Sequence, residues 1–296
     1  MRTEAMNERP ADISASTSST GHALAAVAYL DAHFAMCRPE YEAMAHSVGL
    51  QPGWHVLDAG CGRGSYVPII AEMVGPTGAI AALDLAPENI ASVEQSIAIW
   101  VLPTPVRAHL GSIVALPFPD DSFDAVWCAN TTQYLTDDEL ATALGEFRRV
   151  VRPGGLVAIK EGTSQHLLYA PADPLVYVRL LDAVRDRYVS IAGVLRSPQT
   201  RRWLEAAGLE AVWQRTTLIE RWAPLDPFAR ERIIASLVGL AAIALRDDVG
   251  IPKRDKRFWR GQRDPASPEH LVNQPDCYWC EGHVLAVGRV ADQLVP

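Results

Sequence analysis

The sequence predicts an α/β fold with a doubly wound, mostly parallel seven-stranded sheet, and three observations carry that reading. Short β-type apolar runs alternate with helical segments between residues 54 and 160. The first run ends in an acid and opens onto a glycine-rich loop, VLDAGCGRG at 56–64. A second acid, Asp84, closes the second run, about 20 residues beyond the glycines. Strands that alternate with helices pair in parallel, because each crossover helix returns the chain to the same edge of the sheet.

The elements follow in order. Residues 1–20 are rich in Ser, Thr and acidic residues without an apolar stretch, and read as a disordered leader rather than a signal peptide. Residues 21–50 hold N-terminal helices: Leu24, Val27, Ala28, Tyr29 and Leu30 begin one, and Tyr41, Met44, Ala45 and Val48 suggest another. GLQPG at 49–53 ends that run. Strands are then expected at Trp54–Leu57, Ala79–Leu83, Pro105–Ala108, Phe123–Cys128 and Leu156–Lys160. Helices are expected at Tyr66–Val74, Pro87–Ile99 and Asp137–Val151, the second with Pro87 at its start, where proline is tolerated. Downstream, Pro174–Tyr188 and Ser197–Ala207 read as helices, the latter closed by Gly208. Leu209–Thr217 and His283–Val290 read as the last two strands, and Glu220–Asp276 as a helical insertion before the final one. Residues 51–219 and 277–296 thus form the core, with 220–276 as a cap.

Composition narrows the function. The formal net charge is -8, so the chain has no broad field for a phosphate backbone and nucleic acid is not an expected partner. The one basic run, KRDKRFWRGQR at 253–263, reads as a solvated loop or helix face. The longest apolar run, IIASLVGLAAIAL at 233–245, is shorter than the about 20 residues that span a bilayer, so no membrane association is expected. It reads as a buried or dimer-forming helix, which makes a homodimer an expectation. The five cysteines are scattered and set up no disulfide framework, which suits a cytoplasmic protein. Cys277 and Cys280 form a lone C-x-x-C near His283, without a second pair to complete a zinc site, and no metal is expected.

The glycine loop carries the chemistry. Gly60 permits a sharp turn after Asp58, while Gly62 and Gly64 let backbone N–H groups approach a ligand with no Cβ between. Such a loop, at the carboxyl end of a parallel strand and the start of a helix, is a nucleotide pocket. A dinucleotide fingerprint needs a further glycine where Ser65 stands. Asp84 can accept hydrogen bonds from ribose hydroxyls, which fits either a nicotinamide cofactor or S-adenosylmethionine.

Four motifs in this order resemble the class I S-adenosylmethionine-dependent methyltransferases, and among them the ubiquinone/menaquinone-biosynthesis-like, type 11 branch. They are VLDAGCGRG at 56–64, ALDLAPENI at 82–90, ALPFPDDSFDAVWC at 115–128 and EFRRVVRPGGLVAI at 146–159, and the likeness spans 54–163. The resemblance implies a Rossmann-like domain with S-adenosylmethionine as cofactor. It implies Asp58 and Gly60 at the cofactor's methionine end, with Gly62 and Gly64 keeping the loop close. Asp84 would hold the ribose and Leu85 pack on the adenine. Ser112 stands where the family usually has an Asp that accepts from the adenine amino group; the Ile113 backbone N–H would serve the ring. Asn130 follows the fourth strand, where the family's backbone meets the methionine.

The methyl acceptor is expected to be a small molecule, met at the same carboxyl edge. Where the branch often has histidines after the fourth strand, this chain has Gln133 and Tyr134. Gln133 can orient a substrate as donor and acceptor but cannot act as a base. Glu161, after the fifth strand, could take a proton if partly buried. His166 and Tyr169 follow on a loop that could cover the site, and Tyr29 and Tyr41 on the N-terminal helices could close over it. Asp137, Asp138 and Glu139 follow Thr136 and read as the capped first turn of a helix rather than metal ligands. Aromatic residues in and beside the insertion (Trp222, Phe228, Phe258, Trp259, Tyr278 and Trp279) suit a lipophilic or aromatic acceptor, or simply a packed subdomain. Methyl transfer to a specialised metabolite or quinone is the leading expectation. A protein methyltransferase, and a cofactor-binding protein or cyclase without methyl transfer, are the alternatives.

Overall fold

The computed structural model describes residues 27–292, with the side chains of 31–163 and 167–292. The expected leader, the ring of Tyr29 and the side chain of His166 lie outside the described residues. The strands are β1 (His55–Ala59), β2 (Ala79–Asp84), β3 (Val106–Leu110), β4 (Phe123–Ala129), β5 (Val151–Ala170), β6 (Leu209–Trp222) and β7 (Tyr278–Val290). They form one sheet in the order β3-β2-β1-β4-β5-β7-β6. Among the described strands, β7 runs opposite to the other six, pairing antiparallel with β5 on one side and β6 on the other. The sheet is therefore the mostly parallel seven-stranded one expected from the alternation of strands and helices.

Side-chain alternation sorts the strands' apolar residues onto two faces. Val56, Ile80, Ala125, Trp127, Leu156 and Ala158 pack with helices α1 (Val27–His46), α2 (Val67–Val74) and α3 (Pro87–Ile99). Leu57, Leu83, Val126, Val157 and Ile159 pack on the other face. Helix α4 (Asp137–Val150) and helix α7 (Thr200–Ala206) cover that second face. Thr136 caps α4 in a reciprocal capping box with Glu139, which places the acids at 137–139 in the first helical turn. Pro87 opens α3.

Three readings change. The N-terminal segment is one helix, α1, that runs through Pro39 rather than two helices; packing against the chain's interior overrides the local break. The stretch 174–188 ends earlier, and two helices, α5 (Val176–Val184) and α6 (Val189–Arg196), precede α7. Strands β5, β6 and β7 extend beyond their expected ends, because β7 has a hydrogen-bonding partner on both sides: Trp279 pairs with Tyr169 and with Arg221. The CYWCEGH segment at 277–283 is thus largely central strand.

The insertion contains α8 (Pro227–Ala244) and α9 (Lys253–Gly261). Ile233, Leu237 and Ala241 of α8 join the same core as Met36 and Tyr41 of α1, so the long apolar run is buried within the chain. The basic run forms α9, with Trp259 inside and Asp255 paired to Arg179 at 2.5 Å. Among the described residues, no helix is long and apolar enough to cross a membrane.

Candidate active site

Strand order reverses between β1 and β4, and the cleft outside their carboxyl ends is where open α/β sheets bind ligands. A cleft of about 1390 Å³, counted out to its open mouth, lies there. Asp58, Gly60, Gly62, Asp84, Leu85, Ser112, Ile113, Asn130 and Tyr134 all line it.

The loop after β1 is built from the backbone outward. Gly60 (φ 74°) and Gly62 (φ 53°) take left-handed conformations that side chains resist. Gly60 and Cys61 N–H groups donate to the Leu83 carbonyl at 2.8 and 2.9 Å, which ties the loop to the end of β2. A Cβ on Gly60 would lie 2.4 Å from the Thr131 side chain, whereas one on Gly62 would meet nothing within 4 Å. Gly62 therefore leaves its backbone open to the cleft. Asp84 accepts from Gly62 N–H at 2.9 Å through one oxygen, and from Ala86 N–H and the Asn89 amide at 2.9 and 3.0 Å through the other. Gly64 does not line the cleft; it makes room for the Trp100 ring, 3.0 Å from where a Cβ would stand.

Asp58, next to last in β1, is almost fully buried, and its Oδ2 has no hydrogen-bond partner. Burial, with Asp84 beside it, pushes its carboxyl up to about 8. Leu85 stands exposed at the rim. Ser112 Oγ accepts from Val114 N–H at 3.3 Å, so the serine shapes the turn that presents Ile113.

The loop after β4 corrects two candidates. Glu161 does not line the cleft. It is buried beneath the loop, where Oε1 accepts from the Thr131 and Thr132 N–H groups at 3.0 and 2.7 Å and from the Thr132 hydroxyl at 2.7 Å. Burial raises its pKa, and those hydrogen bonds oppose the rise. Its side chain follows Ile159 onto the face covered by α4, beside Leu140 and Leu144. Gln133 does not line the cleft either, since its amide donates to the Asn130 carbonyl at 3.0 Å and closes the turn. Tyr134 does reach it.

The neighbouring β5 residue that turns to the α1 face is Lys160. It is fully buried, donates to Asn130 Oδ1 at 2.8 Å and lies 3.6 Å from the Tyr41 ring centroid. Burial pushes its ammonium down from the ordinary lysine range. Asn130 itself is held in a left-handed conformation (φ 54°), with its N–H donating to the Lys160 carbonyl at 2.7 Å.

Helix α1 supplies a wall that the motifs did not announce. Asp31, His33, Phe34 and Tyr41 line the cleft. Phe34 and Tyr66 meet edge to face at 5.2 Å, and Tyr66 continues to Trp127 at 4.9 Å. Arg63 of the glycine loop pairs with Asp31 at 2.8 Å across the rim. Behind Tyr41 sits Glu281, with His33 and His283 at 2.7 and 2.8 Å from its Oε1. Burial pulls both imidazoles down, to about 4 for His33 and about 3 for His283. The detectable signals were the i, i+4, i+8 spacing of His33, Cys37 and Tyr41 and the i, i+2 spacing of Glu281 and His283.

The aromatic residues of the insertion behave otherwise. Trp259 and Trp279 are fully buried and meet Tyr169 at 6.3 and 5.6 Å, and the exposed Trp222 lies 4.3 Å from Tyr278 with the two rings tilted. Among the described residues, the cleft lining includes none of 220–276. Among the described residues the insertion instead packs on α1, which lines the cleft.

Comparisons with known proteins agree with this architecture. Residues 56–155 match the family model for a methyltransferase domain. The demethylmenaquinone methyltransferase of Geobacillus kaustophilus is 34% identical over 128 residues, covering 43% of this chain and 53% of that protein. The ubiquinone/menaquinone biosynthesis C-methyltransferase UbiE of Cupriavidus taiwanensis is 35% identical over 113 residues, covering 38% and 45%. The chain thus spans about half the length of these curated relatives. Among solved structures, the YcgJ protein of Bacillus subtilis superposes with a TM-score of 0.52 at 19% identity, covering 86% of this chain and 99% of that one. The cyclase SpnF gives 0.50 at 18% identity, covering 86% and 81%. These two likenesses concern the fold. The ordered motifs, the reversal of strand order and the family match all fall on one stretch, residues 56–155, which matches the model of a methyltransferase domain.

Proposed function

We propose that the chain transfers a methyl group from S-adenosylmethionine to a small aromatic or lipophilic metabolite. The observation that carries this reading is the two-ended cleft: an acidic, backbone-lined end at Asp58, Gly62 and Asp84, and an aromatic end at Phe34, Tyr41 and Tyr66. The acidic end fits the cofactor on the residues present. Asp58 has an unpartnered buried oxygen, and Gly62 leaves open space over its backbone. Asp58 and Gly60 would hold the cofactor's methionine end, Asp84 its ribose, Leu85 and Ile113 its adenine, and Asn130 the side nearest the acceptor. Gly64 and Ser112 support that pocket by shaping its loops.

When bound, the cofactor supplies an activated methyl on a sulfonium, so the protein's task is alignment and exclusion of water. Phe34 and Tyr41 provide apolar and cation-tolerant walls for an acceptor. Tyr134 reaches the same space, while Gln133 and Glu161 fix the loop that carries it. All five cysteines are buried thiols, which suits the cytoplasm.

Methyl-labelled S-adenosylmethionine, purified protein and a host-cell extract test the reading. Label is expected in the organic-soluble small-molecule fraction. Label in protein or nucleic acid would overturn the acceptor class. Tight binding of S-adenosylhomocysteine with no label in any fraction would favour a protein that binds the cofactor without methyl transfer.

A further inference from the structure

Behind the aromatic wall, two pairs of side chains converge from distant parts of the chain. His33 and Cys37 lie one turn apart on one face of α1. Glu281 and His283 lie two positions apart on β7 and so share a face of that strand. One ligand atom from each of the four lies within 4.8 Å of all the others. Glu281 Oε1 is their hub, 2.7 Å from His33 Nε2, 2.8 Å from His283 Nε2 and 3.3 Å from Cys37 Sγ.

We propose that His33, Cys37, Glu281 and His283 form a binding site for one divalent transition-metal ion of the zinc type, clamping α1 to β7.

The donor set selects the ion class. Two imidazoles, a thiolate and a carboxylate suit zinc and its neighbours, whereas calcium and magnesium ask for oxygen alone. Helix spacing i, i+4 and strand spacing i, i+2 each place two donors side by side with no loop to order. Zinc bonds of about 2.0–2.3 Å set tetrahedral donors about 3.3–3.7 Å apart, so binding needs the two imidazoles to draw back from Glu281 Oε1 and the more widely separated donors, within 4.8 Å of one another, to close in. A thiolate and a carboxylate neutralise a divalent ion, so the Arg232 guanidinium, 3.7 Å from Glu281 Oε2, is tolerated beside it. Trp279 donates to that same oxygen at 3.0 Å and orients the carboxylate, as outer-shell partners do.

Four protein donors make a closed site, which is the structural kind rather than the kind that keeps a position for substrate. Its effect is mechanical: α1 carries Phe34 and Tyr41, so a metal here pins the aromatic wall of the cleft to the sheet. Cys280, the cysteine that the C-x-x-C spacing brings to notice, alternates onto the opposite face of β7 from Glu281 and His283 and takes no part.

The test uses the full chain and does not depend on methyl transfer. Protein purified from zinc-supplemented cells and dialysed is expected to hold about one zinc per chain by mass spectrometry. Cobalt substituted for zinc is expected to give tetrahedral visible bands and a thiolate-to-cobalt charge-transfer band. That band is lost in Cys37→Ser and kept in Cys280→Ser. Chelation is expected to lower the melting temperature by several degrees, with zinc but not magnesium restoring it. The proposal fails if the wild-type chain retains no stoichiometric metal and shows no charge-transfer band with cobalt. It fails equally if the band survives Cys37→Ser and disappears in Cys280→Ser. Should Cys37→Ser not fold, the wild-type metal content and cobalt spectrum decide alone.

Discussion

Asp58 has the largest consequence of any single residue in the cleft. Its unpartnered oxygen and raised carboxyl, at about 8, mean that it is largely protonated in the ligand-free protein at neutral pH. A ligand with a cationic amino group favours the ionised form and lowers that pKa. Affinity for S-adenosylhomocysteine is therefore expected to rise between about pH 6 and pH 8 and then level, with proton release on binding. Calorimetry in buffers of different ionisation heat checks this, and Asp58→Asn should flatten the dependence. Stability carries the matching sign: the folded pKa lies above the ordinary aspartate value of 3.8, so this group's contribution is full below that value and is lost as pH rises through about 8. Asp58, Gly60, Gly62 and Asp84 were legible as cleft residues because each stands at or beside a strand end within an ordered motif. Glu161 was misread although the period of the strand contains the answer. Alternation sends Lys160 to the α1 face, under the Tyr41 ring, and Glu161 to the α4 face, so neither side chain lines the cleft.

At the scale of elements, the loop after β4 is set by what lies beneath it. Glu161 collects two backbone N–H groups and a hydroxyl from Thr131 and Thr132, and the Thr131 hydroxyl reaches the Gly60 carbonyl at 3.1 Å. Glu161 thereby positions the glycine loop through Thr131. Glu161→Gln weakens a charged anchor and is expected to lower stability by about 1–3 kcal/mol in denaturant titrations, with the shape of the pH–rate profile unchanged. A role as proton acceptor would instead show as a lost acidic limb in that profile and near-abolished turnover. Helix caps, by contrast, were readable from the chain alone: Thr136 with Glu139 is a local device, complete within four residues.

For the whole molecule, the insertion and the sheet are one cooperative body. Trp259 and Trp279 share a core with Tyr41 and Leu237, so α8 and α9 do not form an independent unit. Trp259→Ala is expected to cost about 3–5 kcal/mol, with far-ultraviolet and tryptophan signals still unfolding in a single coincident transition. Two separated transitions would show that the insertion folds by itself. The apolar run at 233–245, which suggested a dimer helix, finds its partner in α1 of the same chain.

The sequence by itself determined the sheet class, the order of the strand-end motifs, the place of Asp58, Gly62 and Asp84 at the carboxyl ends of the strands, and the capped start of α4. These are encoded in periods of two and 3.6 residues and in turn chemistry, which neighbouring residues settle among themselves. Tertiary structure alone decided that Asp31, His33 and Phe34 join Tyr41 in the cleft wall, that β7 enters the sheet between β5 and β6, and that His33 meets Glu281 across a separation of 248 positions. Such pairings depend on which buried surfaces fit together after the chain collapses, and no local pattern carries that information.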